Sequence, residues 1–318
     1  MPLEQDKERG FRYPLRWRTM DFLEAILDRL WPRRLARFTG WLMMLPALLL
    51  VGLLVIGLFQ IAESSLHTLD RSTFRPSEDF TLQNYRTILE SATYSWVLLR
   101  SVLGAALTVV FTLLLAFPFA YILVRTQNAQ VRKVLLVTLF LPFFIGQVVR
   151  AYGLLIILGT NGMVNQGLGL VGIEPIRLLF NFPAVVFGEV QYMLPFAVLM
   201  LAPALTAIPQ EIEIAASSLG ANWLRSLWYI TLPMAKPGFV GAGLVVGTLT
   251  LTDFAIPVML GGGSQDFIAN AIYDQFFRTA DQGLGAALSL VLVALGSAFV
   301  GIVVAVFGVG TLSMGSKK

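Results

Sequence analysis

The segment AIPQEIEIAASSLGANWLRSLWYITLPMAK, residues 207–236, joins two long apolar runs, and its reading decides the rest. It is long for a connector, yet neither strongly charged nor rich in turn residues. Ile208, Ile212, Ile214, Ala215, Leu219, Trp223, Leu227, Trp228 and Ile230 give it apolar faces. Pro209 is suited to open a short helix, Glu211 and Glu213 favour its positively polarised start, and Gly220 is placed to end it. Asn222 is a reasonable cap for a second helix toward Ile230, which Pro233 and Pro237 are expected to stop. Helix, glycine turn and helix make a short amphipathic element of the kind that lies in a partner's hydrophobic groove.

Outward from this segment the chain is oily. Of 318 residues 56% are hydrophobic and 13% charged, about half the charge usual in a soluble protein. A bilayer core about 30 Å thick needs roughly 20 apolar residues per crossing helix. Six stretches qualify: Trp41 to Ile61, Trp96 to Val124, Val134 to Leu158, Pro183 to Thr206, Gly238 to Leu260 and Leu284 to Leu312. None alternates apolar with polar as a barrel strand does. The expected fold is an all-α integral membrane protein with six transmembrane helices over residues 41–312, between a segment 1–40 and a tail 313–318.

Lys and Arg favour cytoplasmic loops. Placing residues 1–40, the loop after Val124, residues 207–236 and the tail inside puts 16 of the 23 basic residues there and 5 outside. Both termini are therefore expected in the cytoplasm. Forty largely polar residues precede the first apolar run, unlike a cleavable signal. Within them Met20, Leu23, Ile26, Leu27, Leu30 and Trp31 recur at helical spacing opposite Asp21, Glu24 and Asp28. This predicts an N-terminal interfacial helix on the membrane lipid, followed by the anchor Arg33, Arg34 and Arg37.

With no Cys and a single histidine, His67, the chain offers no disulfide, thiolate site or histidine-rich metal site. The net charge of +4 comes with no basic domain for nucleic acid. The nearest string to a phosphate-binding loop, Gly310 to Lys317, has Ser316 and Lys317 in reversed order. No catalysis, metal or cofactor is expected of this chain.

Three ionisable residues fall well within spans: Arg150, Glu189 and Asp253. Each costs roughly 2.5–3.5 kcal/mol at mid-bilayer, so each is expected to face protein or water and find a partner. Counted from the outer ends of their spans they sit about 12, 9 and 10.5 Å deep, compatible with one layer. Gln147, Arg150 and Gly153 share a stripe, Glu189, Tyr192 and Phe196 another, and Gly243, Gly247, Thr250 and Phe254 a third beside Asp253. Two readings stand: an ion pair locking three helices, or a solute path in which Arg150 pairs with one carboxylate and the other attracts a cation. Tyr152 and Tyr192 are either cation-π surfaces for that path or ordinary interface aromatics.

The 207–236 segment resembles the EAA motif of the membrane-spanning permeases of binding-protein-dependent ABC importers. Ala215, Ala216, Gly220, Ile230, Leu232 and Pro233 match in register. Ile214 stands at the place of the motif glutamate, and Glu213 lies one residue earlier, about 100° round a helix. The stretches LPFFIGQVVRAYG (141–153), NGMVN (161–165), GEVQYMLPFAVL (188–199), FAIPVMLGG (254–262) and FTLQNY (80–85) are similar to the spermidine/putrescine branch, with opine and phosphonate permeases close by. Arg150 and Asp253 fit that branch; Glu189 is less usual there. The resemblance implies a type I ABC importer permease fold in a bacterial inner membrane and a second permease subunit. It also implies an extracytoplasmic solute-binding protein, and two ATPase subunits that bind ATP and Mg and dock on 207–236. It implies ATPase coupling through Ala215, Ala216, Gly220, Ile230 and Pro233, with Glu213 beside them as the shifted carboxylate, while the candidate solute pathway, Arg150, Glu189, Asp253 and Tyr192, is read from the shared depth and faces of those residues. An ion-gradient-driven carrier is the alternative; it requires inverted repeats and broken midplane helices, and the sequence displays neither.

Overall fold

A computed structural model of the chain describes Met20, residues 39–70 and residues 75–307. The expected interfacial helix beyond Met20, the arginine anchor, the last residues of the sixth span and the tail lie outside the described residues. The chain divides into two units, Met1–Gln60 and Ile61–Lys318. The first contains most of α1 (Thr39–Ser65), a 27-residue apolar helix with Pro46 inside it.

The second unit begins at the end of α1. A two-residue strand pair comes next, β1 (Leu69–Asp70) antiparallel to β2 (Arg75–Pro76), with Leu69 opposite Pro76. The short helix α2 (Gln83–Glu90) is tied back to this turn, because Asn84 Nδ2 donates to the carbonyls of Ser65 and His67, each at 2.9 Å. Then comes α3 (Ala92–Arg125), whose Ser101, Gly104, Ala105, Thr108, Thr112, Ala116 and Ala120 form a buried stripe at helical spacing. Small residues let helix backbones approach closely where lipid supplies no hydrophobic drive. On that stripe α3 packs against α7 (Phe182–Thr206) and α10 (Lys236–Thr252), with Met193, Ala197, Leu201, Ala242 and Val246 in the shared core. The last long helix, α13 (Gln282–Phe307), packs through Leu284, Ala287 and Leu288 with Ile88 and Val97.

Among the described residues five helical segments are individually long and apolar enough to cross a bilayer; a sixth is reached by joining Trp223–Met234 to Lys236–Thr252 across a 66° bend. All-helical architecture and up to six crossings agree with the sequence reading, but two spans are not continuous. The expected third span, Val134 to Leu158, divides into α4 (Ala129–Phe144) and α5 (Gln147–Leu158), because Ile145 and Gly146 are extended. Gly146 is a poor helix former. The qualifying apolar segment is instead Gln147–Leu170, which takes in α6 (Met163–Leu170). The loop after α6 is pinned by buried Asn165, which donates to Gly159 and Ile176 carbonyls at 3.0 Å and accepts the Ile176 N–H at 2.9 Å.

The expected fifth span, Gly238 to Leu260, is likewise cut at Asp253 and resumes as α11 (Ala255–Gly261). Pro257 explains the position: a proline ring excludes the carbonyl four residues earlier, here that of Asp253, and offers it no N–H. The backbone responds with φ −72°, ψ 135° at Asp253. Beyond it, α12 (Ile268–Tyr273) leads into a wide turn, Asp274–Arg278.

Close packing sets which glycines matter. A Cβ at Gly188 of α7 collides with Leu260 and Ile256 of α11. Gly188→Val is therefore expected to destabilise the α7–α11 contact by about 1–3 kcal/mol. It should lower the melting temperature of the detergent-solubilised protein, with partial recovery in Gly188→Val/Leu260→Ala. An unchanged melting temperature in the single variant contradicts this packing.

Candidate functional site

The two interruptions meet. Gln147, first residue of α5, directs its Nε2 at both oxygens of Asp253, each at 2.8 Å. Asp253 Oδ1 also accepts the Ala255 N–H at 3.1 Å, closing the turn that starts α11. The carbonyl of Phe254 is taken by Asn270 Nδ2 at 2.8 Å, and Asn270 Oδ1 accepts the Phe267 N–H at 2.8 Å. Side chains thus replace the helical bonds that the break removes.

Glu189 is fully buried on α7, with the Asp253 carboxyl as its interacting neighbour and no other hydrogen-bond partner for either carboxyl oxygen. Arg150 lies over the Tyr192 ring, with Cζ 4.6 Å from the centroid, and its Nε and Nη1 are also unpartnered. Tyr192 is the common neighbour of Arg150, Glu189 and Asp253. The three charged residues are therefore brought to one place, but the expected pairing of Arg150 with a carboxylate is corrected. Among the described residues no ion pair links Arg150 to Glu189 or Asp253. The aromatic face takes the guanidinium, an attraction worth about 0.5–2 kcal/mol, and an amide takes Asp253. Two carboxyl groups against one guanidinium leave an excess of acceptors, which a cation with N–H donors complements.

Beside Asp253 the rings of Phe254, Tyr273 and Phe277 succeed one another at centroid separations of 4.8 Å, all partly exposed. The small-residue stripe belongs to helix packing instead: Gly243 faces Leu113 and Val109 of α3, and Gly247 faces Phe299 of α13. Tyr152 is exposed, with no ring contact to the cluster. In the loop before α12, the Asp266 carboxyl is pushed above its usual range by burial and by Asp274, against the pull of Arg100 and Arg278. No group of three metal-ligating side chains occurs among the described residues.

The 207–236 segment is built much as its sequence indicates. α8 (Gln210–Ser218) starts after Pro209 and ends at Gly220, whose φ of +84° suits glycine. The Gly220 N–H donates to Ser217 O at 3.0 Å and the Ala221 N–H to Ala216 O at 3.0 Å, the bond pair that closes a helix C-terminus. Asn222 Oδ1 accepts the Arg225 N–H at 2.8 Å, capping α9 (Trp223–Met234). The second helix ends at Met234, between Pro233 and Pro237 as expected, and the chain bends 66° into α10. Over Leu227–Thr231 the helix widens to i→i+5 bonding, which frees the Tyr229 carbonyl from the position that Pro233 cannot serve. Pro237 falls in the first turn of α10, where a missing N–H costs nothing.

The outer face of this element is apolar. Ile214 is 57% and Leu219 89% exposed, and Ala215, Gly220 and Pro233 are exposed, while Ala216 and Ile230 are half-buried. Leu224, Trp228 and Tyr229 border a groove of about 500 Å³ with Asn222 and Arg225. Glu213 turns the other way, into the chain, where Arg125, Tyr121 and Thr231 receive it. In sequence Arg125 reads only as a topogenic charge, and Tyr121, Thr231 and Asn270 stand out in no pattern.

Comparison with known proteins settles the family. No family model matches the chain. It is 34% identical over 255 residues to the spermidine/putrescine transport system permease protein PotB of Escherichia coli, covering 80% of this chain and 89% of that one. PotB of Haemophilus influenzae is 31% identical over 249 residues, covering 78% and 86%. This chain belongs to the permeases of binding-protein-dependent ABC importers. The fold agrees: a chain in the crystal structure of a bacterial ABC transporter involved in the import of the acidic polysaccharide alginate superposes with a TM-score of 0.72 at 17% identity. That match covers 91% of this permease and all of that chain. The permease is a multi-pass protein of the bacterial inner membrane and works within an importer complex that includes a binding protein. It is not catalytic and holds no cofactor, since ATP is bound by the ATPase partner. An ion-gradient-driven carrier is thereby set aside.

Gly220→Pro should leave membrane insertion intact but uncouple transport, because proline can neither adopt a positive φ nor donate to Ser217. Loss of solute-stimulated ATP hydrolysis in the reconstituted importer is the expected result; normal stimulation contradicts it.

Proposed function

We propose that this permease passes a polyamine, of the spermidine or putrescine type, from an extracytoplasmic binding protein to the cytoplasm. It does so beside a second, related permease subunit, with two ATPase subunits gripping residues 207–236. In this reading residues 1–40 and 313–318 are cytoplasmic, residues 41–312 form the membrane domain, and both termini lie inside, as the Lys and Arg distribution favours. Ala215, Ala216, Gly220, Ile230 and Pro233 belong to the face presented to the ATPase, and Ile214 supplies apolar contact where the motif has a carboxylate. Arg150, Glu189, Asp253 and Tyr192 line or back the solute pathway.

The observation that carries the cationic reading is the Asp253–Glu189 pair. Asp253 is met by an uncharged amide and Glu189 by the Asp253 carboxyl, so neither has a counter-charge, while the nearby guanidinium is held on Tyr192. An unpaired carboxylate in hydrocarbon is costly, and a passing ammonium relieves that cost. The rings of Phe254, Tyr273 and Phe277 beside Asp253 suit the methylene segments and ammonium groups of a linear polyamine. The names of the PotB relatives point to the same solute class.

ATP-driven uptake of labelled putrescine and spermidine into proteoliposomes holding the complete importer tests this. Asp253→Asn should lower uptake roughly tenfold or more, the loss of one charge-assisted hydrogen bond, with the assembled complex unchanged in size. Full polyamine uptake by that variant, or uptake of anions in place of polyamines, counts against the proposal.

A further inference from the structure

Both oxygens of Glu213 are occupied from within the chain. Arg125 donates to Oε1 from Nη2 at 2.7 Å and from Nε at 3.1 Å, and Thr231 Oγ1 reaches the same oxygen at 3.3 Å. The Tyr121 hydroxyl donates to Oε2 at 3.0 Å. Arg125 Nη2 also donates to the Ile208 carbonyl at 3.1 Å, just before α8. The two charged side chains keep only 13% and 15% of their surface. The Tyr121 ring meets Trp223 edge-on at 6.4 Å, where α9 begins.

One carboxylate therefore gathers three elements: the last turn of α3, the first turn of α8 and the end of the widened turn in α9. Each charge also sits where its helix favours it, Arg125 at a C-terminus and Glu213 near an N-terminus. A pair this sheltered is screened far less than a surface ion pair, and removing one member leaves the other without its counter-charge. The exposed side of α8 carries Ile212, Ile214, Ala215 and Leu219 instead. Contact with a partner and contact with the membrane domain are thus divided between opposite faces of one nine-residue helix.

We infer that the Arg125–Glu213 pair, closed by Tyr121 and Thr231, is the joint through which movement of α8 is delivered to α3. Arg125 and Glu213 are positioning residues for energy coupling, and Glu213 is not a contact to the ATPase. The inference rests on the proposal that α8 is gripped by an ATPase subunit. Because α3 packs along α7, which carries Glu189 and Tyr192, the joint connects the cytoplasmic element to the charged layer through rigid helices.

The test uses the complete importer in proteoliposomes and reads solute moved per ATP hydrolysed, with ATPase stoichiometry measured on the same preparations. Arg125→Ala and Glu213→Gln should each retain two ATPase subunits per complex yet lower solute moved per ATP on the order of tenfold. The exchanged pair Arg125→Glu/Glu213→Arg should recover most of that loss, which a merely space-filling role does not predict. Tyr121→Phe, which removes one hydroxyl and no charge, serves if the charge variants fail to assemble, and should lower the ratio about two- to fivefold. Wild-type solute per ATP in an assembled single variant or, if none assembles, in Tyr121→Phe overturns the joint. So does loss of ATPase subunits from Glu213→Gln, which makes Glu213 a docking contact. Failure of the wild-type complex to hold an ATPase on α8 instead removes the underlying proposal.

Discussion

In hydrocarbon a peptide N–H or C=O has no water to turn to, so every backbone group must be satisfied by the chain itself. This permease breaks helices inside two apolar runs, and at the second break side chains stand in for helical bonds. Asp253 accepts the Ala255 N–H, Gln147 donates to Asp253, and Asn270 takes the Phe254 carbonyl. The residues that close the second interruption also gather polar side chains beside Glu189. Glu189 is the exception. It satisfies no backbone group, and its hydrogen-bonding neighbour among the described residues is the Asp253 carboxyl.

The cytoplasmic element obeys the same rule at its own ends. Pro209 opens α8, the Gly220 turn closes it with two backbone bonds, and Asn222 caps α9. With its ends satisfied locally, α8 is a rigid body that exposes an apolar face and buries a single carboxylate. From α8 the contacts run through Glu213 and Arg125 to α3, and from α3 by core packing to α7, which carries Glu189 and Tyr192.

Much of this is legible in the sequence. Apolar length gives the crossings to within a few residues for the first, second and fourth spans and for the start of the sixth, and the prolines, Gly220 and Asn222 give the helix–turn–helix of 207–236. The interruptions escape because hydropathy hardly registers them: Phe144 to Gln147 has one polar residue and Thr252 to Ala255 two, inside otherwise apolar runs. The Asp253 break has a readable cause in Pro257, four residues on, but a proline in an apolar run reads equally well as a kink. Where a charge goes is less legible still. Arg150 stacks on Tyr192 rather than pairing with a carboxylate, and Glu213 turns inward to Arg125, 88 residues away in sequence. Such choices depend on tertiary neighbours that no local pattern records. The glycines at 243 and 247 illustrate the same limit, since small residues serve close helix packing and open pathways alike.

The absence of cysteine makes one measurement especially direct. With Leu219→Cys as the sole thiol at the most exposed apolar position of the coupling element, a membrane-impermeant maleimide should label it in inverted inner-membrane vesicles stripped of ATPase, not in intact spheroplasts. Adding back the ATPase subunits should protect it. Labelling from the spheroplast exterior, or unchanged labelling after the ATPase is restored, contradicts the placement of residues 207–236 as the cytoplasmic grip of the importer.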